Sequence, residues 1–545
     1  MNKLENTPKE SLRDPTGQAI KNLIKNLIRK KIKTPEALAV AKRRMAKDYK
    51  IPCPTNIALL KTYHELLKKK GLKKSALLES LLQTRPIRSL SGIVNISVLT
   101  KSYPCPGRCL YCPAESGIPK SYVSGEPAVE RAKSLGFDPY LQTQKRIEML
   151  EVEGHPTDKI ELRIVGGTWS YYPKTYQDWF VKRCFEACNE KESKNLNKAQ
   201  KLNEKAKRRI VGLSIETRPD FITSGASNKA LAKGKVLINE IRKLRNFGVT
   251  MVELGVQSIY DDVLKKNLRG HGVKETISAT KLLKDAGFKV LYQMMPNLFG
   301  SSLKKDEKMF EELFESPDFQ PDLLKIYPCA LLREAPLYKW WKKKKYKPYT
   351  KIQLIGLIKK IKKNIPYYVR IQRISRDIPS QLVIAGPAKI SNLRQVISEK
   401  MKKEGWQCNC IRCREVREKY NPREKLYLFR QDYKASGGKE IFLSFENKRR
   451  DKLYSLLRLR ITSDNKMIIR EIHTYGQQIP ISGEQFSANS PQHKGLGKKL
   501  IKKAEEIVKR ESASRRISVI AGVGARDYFR KLGYRLENTY MVKNV

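Results

Sequence analysis

Three hydrophobic patterns divide the chain. Up to about residue 80 the apolar positions recur at helical spacing. Ile20, Leu23, Ile24, Leu27 and Ile28 share one face, Lys21, Lys25 and Arg29 lie on another, and a second helix is predicted over 56–70. From residue 90 to about 375, short apolar runs at 93–99, 160–165, 210–215, 251–256, 290–295 and 323–326 alternate with helical stretches such as 274–286. Six strands alternating with helices predict parallel βα units. Such units either close into a partial barrel or lie open as a doubly wound sheet, and both arrangements place ligands at the carboxyl ends of the strands. Residues 191–209 read as a charged, helical insertion, and after about residue 425 a new α/β segment runs to the C-terminus.

Composition changes this picture in two ways. The 545 residues suffice for several domains with large cores. The net charge of +56 points to a polyanionic partner, nucleic acid first, although part of it fits a lysine bias spread over the surface. Residues 1–80 hold 20 Lys or Arg against 7 Asp or Glu, which is more than an even spread would place there. A solvated basic helical face is the plain reading of this region, and an RNA-docking face is the functional one. Trp340-Trp341-Lys-Lys-Lys-Lys-Tyr346 is either an exposed helix end or a place where bases stack and phosphates pair. The polar start, Met-Asn-Lys-Leu-Glu-Asn-Thr, and the lack of any run near 18 apolar residues predict a cytoplasmic protein without membrane contact.

Ten cysteines in close clusters suggest metal ligation in a reducing compartment rather than a disulfide framework. Cys105, Cys109 and Cys112 lie in a Pro- and Gly-rich loop after the first predicted strand. A thiolate-held 4Fe–4S cluster normally takes four cysteines, so three leave one iron open for S-adenosylmethionine. The alternative is a zinc knuckle completed from elsewhere. Cys408-x-Cys410-x-x-Cys413 has zinc spacing. Cys329 is the candidate fourth ligand there, with His64 behind it, and a second iron–sulfur cluster is the alternative. Cys53, Cys184 and Cys188 read as packing residues.

The predicted strand ends carry glycine or polar residues in turn. Gly166-Gly167-Thr168 follows the second strand, Glu216-Thr217-Arg218-Pro219 the third, Gln257-Ser258 the fourth and Met294-Met295-Pro296 the fifth, while Lys325 and Tyr327 mark the sixth. One ligand-binding mouth explains them together. Backbone amides at Gly166-Gly167 suit the methionyl end of S-adenosylmethionine, and Glu216 suits its amine or a ribose hydroxyl. Near the C-terminus, Gln492-His-Lys-Gly495-Leu496-Gly497 opens a predicted helix from Lys498, a pattern suited to a pyrophosphate. It lies between strand-like segments at 468–476 and 517–521 and is followed by Tyr528-Phe529-x-x-x-Gly533-Tyr534. This order of parts resembles the GNAT acetyltransferase fold, with coenzyme A between splayed strands and Tyr528, Phe529 and Tyr540 available to pack on the thioester arm.

The cysteine loop, Gly-Gly-Thr168, Ile-Glu-Thr-Arg-Pro-Asp220, Leu-Gly-Val-Gln-Ser258, Leu-Lys-Ile-Tyr-Pro328, Arg-Asp-Ile-Pro379 and the C-terminal motif follow one another here. In that order they resemble the catalytic subunit of Elongator and its stand-alone prokaryotic relatives, the tRNA carboxymethyluridine synthases. The resemblance implies an α/β fold: a partial (βα)6 radical SAM barrel fused to a GNAT-type acetyltransferase domain, with a basic helical N-terminal region. It divides the chain into a tRNA-binding region at 1–84, a radical SAM domain at 85–390, a zinc-binding linker at 391–424 and an acetyltransferase domain at 425–545. It implies transfer of a carboxymethyl group, made from acetyl-CoA with a 5′-deoxyadenosyl radical, to carbon 5 of the wobble uridine of tRNA. Acetyl-CoA contacts fall on Lys159, Glu471, Ile472, His473, Thr474, Leu496, Gly497, Lys498 and Phe529, with Glu471 or Tyr540 positioning a hydrolytic water. The expected partners are tRNA through its anticodon stem-loop, acetyl-CoA, an electron donor and a second copy of the chain in a homodimer. A protein lysine acetyltransferase with a structural cluster is the competing reading.

Overall fold

The computed structural model describes residues 15–68, 72, 74–223, 235–418, 420–481 and 490–545. The polar first seven residues and the last two residues of the helix predicted over 56–70 lie outside these. The chain divides into two compact units, Met1–Ser89 with Arg146–Thr157, and Leu90–Lys145 with Asp158–Val545.

In the first unit the helical periodicity becomes the helices Pro15–Arg29, Pro35–Asp48, Asn56–Lys68 and Ala76–Leu82. Ile20, Leu23, Ile24 and Leu27 bury their stripe against Leu59, Leu60 and Tyr63, while Lys25 and Arg29 stay exposed. Thr34 caps the second helix by accepting the Ala37 N–H, with Pro35 in the first turn where no amide donor is needed.

The second unit holds two seven-stranded sheets. The first consists of β1 (Val94–Leu99), β2 (Lys159–Val165), β3 (Arg209–Thr217), β4 (Met251–Gln257), β5 (Lys289–Met294), β6 (Leu323–Ile326) and β7 (Arg370–Arg373). Every neighbouring pair is parallel and the strands lie in sequence order, curled into a partial barrel. With no reversal of strand order there is no doubly wound sheet. The sequence reading of six strands is one short. β7 carries Arg370, Gln372 and Arg373 in four residues, so it reads as polar, because it is an edge strand with a half-buried face.

The second sheet consists of β8 (Tyr427–Ala435), β9 (Gly438–Glu446), β10 (Leu453–Ile461), β11 (Met467–Thr474), β12 (Arg516–Val519), β13 (Arg535–Glu537) and β14 (Tyr540–Asn544), in the order β13-β14-β12-β11-β10-β9-β8. Only β11 and β12 run parallel, and they pair over Met467–Ile469 alone. Beyond Ile469 the described residues show no further pairing between the two strands, which opens a gap beside Glu471–Thr474. The helix Leu496–Glu511 covers this sheet with Leu500, Ile501, Ala504, Ile507 and Val508, packed on Leu443, Leu457, Ile469 and Ile517. Among the described residues no helix is long and apolar enough to cross a membrane.

Candidate active site

The first cavity, of about 220 Å³, opens at the carboxyl ends of β1–β6. Cys105, Cys109 and Cys112 line it together with Gly167, Thr168, Glu216, Gln257 and Lys325, so the strand ends singled out in the sequence do converge on one mouth. Residues 101–113 form no helix or strand. A side chain at Gly107 would meet the Sγ atoms of Cys109 and Cys105 at 3.5 and 3.7 Å and the Arg218 guanidinium at 2.9 Å, so the loop wraps around the glycine. Lys120 Nζ donates to the Gly107 carbonyl at 2.6 Å. Arg269 donates to Cys109 Sγ at 3.5 Å and to the Gly255 carbonyl at 2.5 Å. Burial opposes the Cys109 thiolate, but the charge and hydrogen bond of Arg269 outweigh it and bring that thiol below its ordinary value.

Glu216 accepts from the Tyr122 hydroxyl at 2.9 Å and the Gln293 amide at 3.2 Å, with Lys325 Nζ at 3.5 Å. Gln257 ends β4 with a left-handed backbone, φ 73°, and its buried amide oxygen has no hydrogen-bond partner among the described residues. An amide side chain held in that conformation with an unused acceptor is suited to a bound ligand. Gly166 lies beside this cavity rather than on it. With φ 140°, and with Thr100 Oγ1 only 1.9 Å from where a Cβ would lie, it makes the turn that brings Gly167 to the wall. Three thiols around one glycine, cationic groups that balance thiolate charge, and an unused acceptor fit a three-thiolate cluster with a ligand on its open iron.

The second cavity, of about 620 Å³, lies where β11 and β12 part. Its walls include Lys159, Glu471, Ile472, His473, Thr474, Gln492, Gly495, Leu496, Gly497, Lys498, Tyr528 and Phe529, the whole set of expected acetyl-CoA contacts except Tyr540. Gly495, at φ 80°, precedes the helix Leu496–Glu511 and nothing lies within 4 Å of a Cβ added there, so an anion has room against the first N–H groups. Gln492 holds the region together: its amide donates to the Gly92 and Thr474 carbonyls at 3.0 Å each and its oxygen accepts from Lys159 Nζ at 2.8 Å. Burial lowers Lys159 to about 8, against the pull of Asp158. Burial also opposes the Glu471 carboxylate, but Lys289 and Arg458 hold it down to about 2, with Arg458 Nε at 2.8 Å and Lys289 Nζ at 3.5 Å. His473 Nε2 lies 2.7 Å from the Ser91 carbonyl.

Two expected residues are not brought to these cavities. Tyr540 donates its hydroxyl to the Ala286 carbonyl at 2.8 Å under the Arg245 guanidinium, and it lines neither cavity. Cys329 is buried in an apolar cluster with Leu110, Leu331 and Leu337, its thiol beside the Tyr346 hydroxyl, and it does not join Cys408, Cys410 and Cys413. The sulfurs of those three lie within 4.8 Å of one another, the one such His, Cys, Asp or Glu group among the described residues. Tetrahedral zinc with bonds near 2.3 Å sets its sulfurs roughly 4 Å apart, so the trio fits a single ion. Lys362 Nζ is 3.4 Å from Cys413 Sγ, while His64 faces Glu79 at 3.8 Å. Cys184 and Cys188 are buried as expected, but Cys53 is exposed. Trp340 and Trp341 are half-buried, Trp340 against Phe299 and Trp341 stacked on Tyr338.

Sequence reading missed four charged residues and a tyrosine that complete the sites: Arg269, Arg163 and Tyr122 in the first, Lys289 and Arg458 in the second. For Arg163 the available signal was a charge inside an otherwise apolar stretch of strand, Leu-Arg-Ile-Val165.

Residues 100–313 match the model of the radical SAM superfamily and residues 321–403 that of the radical SAM C-terminal domain. The chain is 44% identical to the tRNA uridine(34) acetyltransferase of Methanocaldococcus infernus, over 88% of this chain and 91% of the relative. It is 42% identical to that of Dehalococcoides mccartyi, over 84% and 99%, and 38% identical to human Elongator complex protein 3, over 85% and 86%. The solved structure of the M. infernus archaeal Elp3 with an N-terminal deletion superposes with a TM-score of 0.71 at 43% identity, covering 84% of this chain and 100% of that one. Membership of the superfamily implies a 4Fe–4S cluster and S-adenosylmethionine. With its three-cysteine cavity, its sequentially ordered parallel sheet and the splayed second sheet, the chain belongs to the radical SAM superfamily and, within it, to the family of the tRNA uridine(34) acetyltransferases and Elongator complex protein 3.

Proposed function

We propose that the protein joins the methyl carbon of acetyl-CoA to carbon 5 of uridine 34 of tRNA. The methyl hydrogen passes to the adenosyl radical, and the carbon 5 hydrogen leaves as a proton with one electron returned to the cluster. Water then hydrolyses the thioester to release CoA and leave a carboxymethyl group. The carrying observation is that a three-cysteine cavity and a second cavity, with Gly495 and the N-terminus of a long helix on its wall, belong to one compact unit. The names of the M. infernus and D. mccartyi relatives supply the acceptor. Cys105, Cys109 and Cys112 hold the cluster, and Gln257, the Gly167 backbone and Glu216 take the polar groups of S-adenosylmethionine. The cluster and its ligand, reduced by an external one-electron donor, supply a 5′-deoxyadenosyl radical when bound. The N–H groups after Gly495 take the pyrophosphate, Lys159 adds a positive charge and Tyr528 lies along the thioester arm. Glu471, kept ionised by two cations, orients water or substrate rather than taking a proton. Cys408, Cys410 and Cys413 hold a structural zinc ion.

The test is anaerobically reconstituted protein with tRNA, acetyl-labelled CoA, S-adenosylmethionine and reductant. Label should enter tRNA only with S-adenosylmethionine present, and Cys109→Ser should abolish it. Label found in peptide lysines instead, undiminished by Cys109→Ser, identifies a lysine acetyltransferase and defeats the proposal.

A further inference from the structure

The two cavities lie on the same parallel sheet, one at each end of its strands. On β2, Glu161 lines the second cavity and Arg163 the first. At about 3.3 Å per residue these are roughly 7 Å apart along the strand. On β3, Gly212 lines the second and Glu216 the first, with Ser214 between, and on β5 Lys289 and Gln293 do the same around Leu291. A single layer of side chains therefore separates the cavities.

That layer is uneven. Towards β4–β6 it is closed by the buried cluster of Met251, Leu291 and Leu323. Towards β1 it is thin. The register places Asn95 beside Glu161 and Ser97 beside Arg163, and Asn95 is exposed although it lies within a strand. Ser97 already lines the first cavity, and at Gly212, where no side chain fills the layer, an added Cβ would sit in ordinary contact with Glu161 and Thr250, both at 3.6 Å. Buried Glu253 on β4 accepts from Arg163 at 2.7 Å and pairs with Lys325, which draws the Arg163 guanidinium away from β1.

We propose that the inner face of β1–β3, along Asn95, Ser97, Gly212 and Ser214, is the passage by which the acyl end of a CoA thioester held in the second cavity reaches the cysteine cavity. This rests on the reading of the second cavity as the acetyl-CoA site. The pantetheine arm carries two amides, and the side chains of Asn95 and Ser97 offer hydrogen bonds to them, whereas the Met251 cluster offers none.

The test uses cluster-loaded full-length protein carrying Ser97→Cys and the probe bromoacetyl-CoA, whose methylene carbon bonds to a thiolate within reach as bromide departs. Mass mapping should find the CoA adduct at position 97 at least tenfold faster than at exposed Cys53, and acetyl-CoA should block it. Adding Ser214→Trp should slow it at least tenfold. Asn95→Cys, at an exposed position, serves as the second probe should Ser97→Cys fail to load its cluster. If wild-type protein binds acetyl-CoA by calorimetry but neither introduced thiol is labelled faster than Cys53, or acetyl-CoA gives no protection, the passage is overturned. If wild-type protein binds no acetyl-CoA, the reading of the second cavity falls and the passage with it.

Discussion

Lys159 opens β2 with its ammonium on the wall of the second cavity and its pKa lowered by burial to about 8. An anionic phosphate favours the protonated form, which predominates below that value and is lost above it. Affinity for CoA is therefore expected to be level below about pH 7 and to fall about tenfold per unit above pH 8, with Lys159→Gln weaker throughout and without that dependence. Calorimetric titration across pH 6–10 checks this, and an unchanged slope in Lys159→Gln would reject the role. Lys159 also shows what a chain of letters conveys at this scale. The glycines, Gln492 and Glu471–Thr474 were legible because they are neighbours in sequence within a pattern that the phosphate and the strand dictate. Arg269, Arg458 and Lys289 were not, because each reaches its site from a distant strand or loop and is locally one more basic residue among 111. Tyr540 misled for the opposite reason. It follows the right motif, but its hydroxyl is spent on the Ala286 carbonyl.

At the scale of elements, the apolar runs gave six of the seven parallel strands. What they could not give is how the two sheets are joined. Between Arg458 and Leu459 the register of β10 against β11 shifts, leaving Arg470 as the extra residue of a bulge. The bulged arginine donates to both carboxylate oxygens of Asp322, at 2.6 and 2.9 Å, and to Glu440 at 2.9 Å. Lys284 and Arg458 lie 3.6 Å from the same Asp322, and all five side chains are essentially fully buried. Asp322 immediately precedes β6, so this cluster ties the first sheet to the second just behind Glu471. Asp322→Ala leaves three buried cations with one fewer partner and is expected to cost about 3–5 kcal/mol. The shift should appear as a lowered denaturant midpoint read equally by probes in either sheet. A wild-type midpoint would show that the cluster does not join them.

For the whole molecule the net charge is the largest single number, and it admits two explanations, a surface bias or a polyanion site. The helix Pro15–Arg29 separates them, because it buries its apolar stripe and leaves Lys25 and Arg29 exposed, with Lys30 and Lys33 exposed just beyond its end. If those four meet tRNA phosphates, changing all four to glutamine lowers affinity at low salt, and the plot of log affinity against log salt becomes shallower by roughly 0.7–0.9 for each phosphate no longer neutralised. Acetyl-CoA binding, measured in the same samples, is expected to stay unchanged, since the second cavity is lined by other residues. A fall in tRNA affinity with an unaltered slope would mean that the helix acts through folding. No fall at all would mean that these charges only solvate the surface. The full effect requires the slope and the affinity to change together while CoA binding holds, and only direct pairing with phosphate produces that combination.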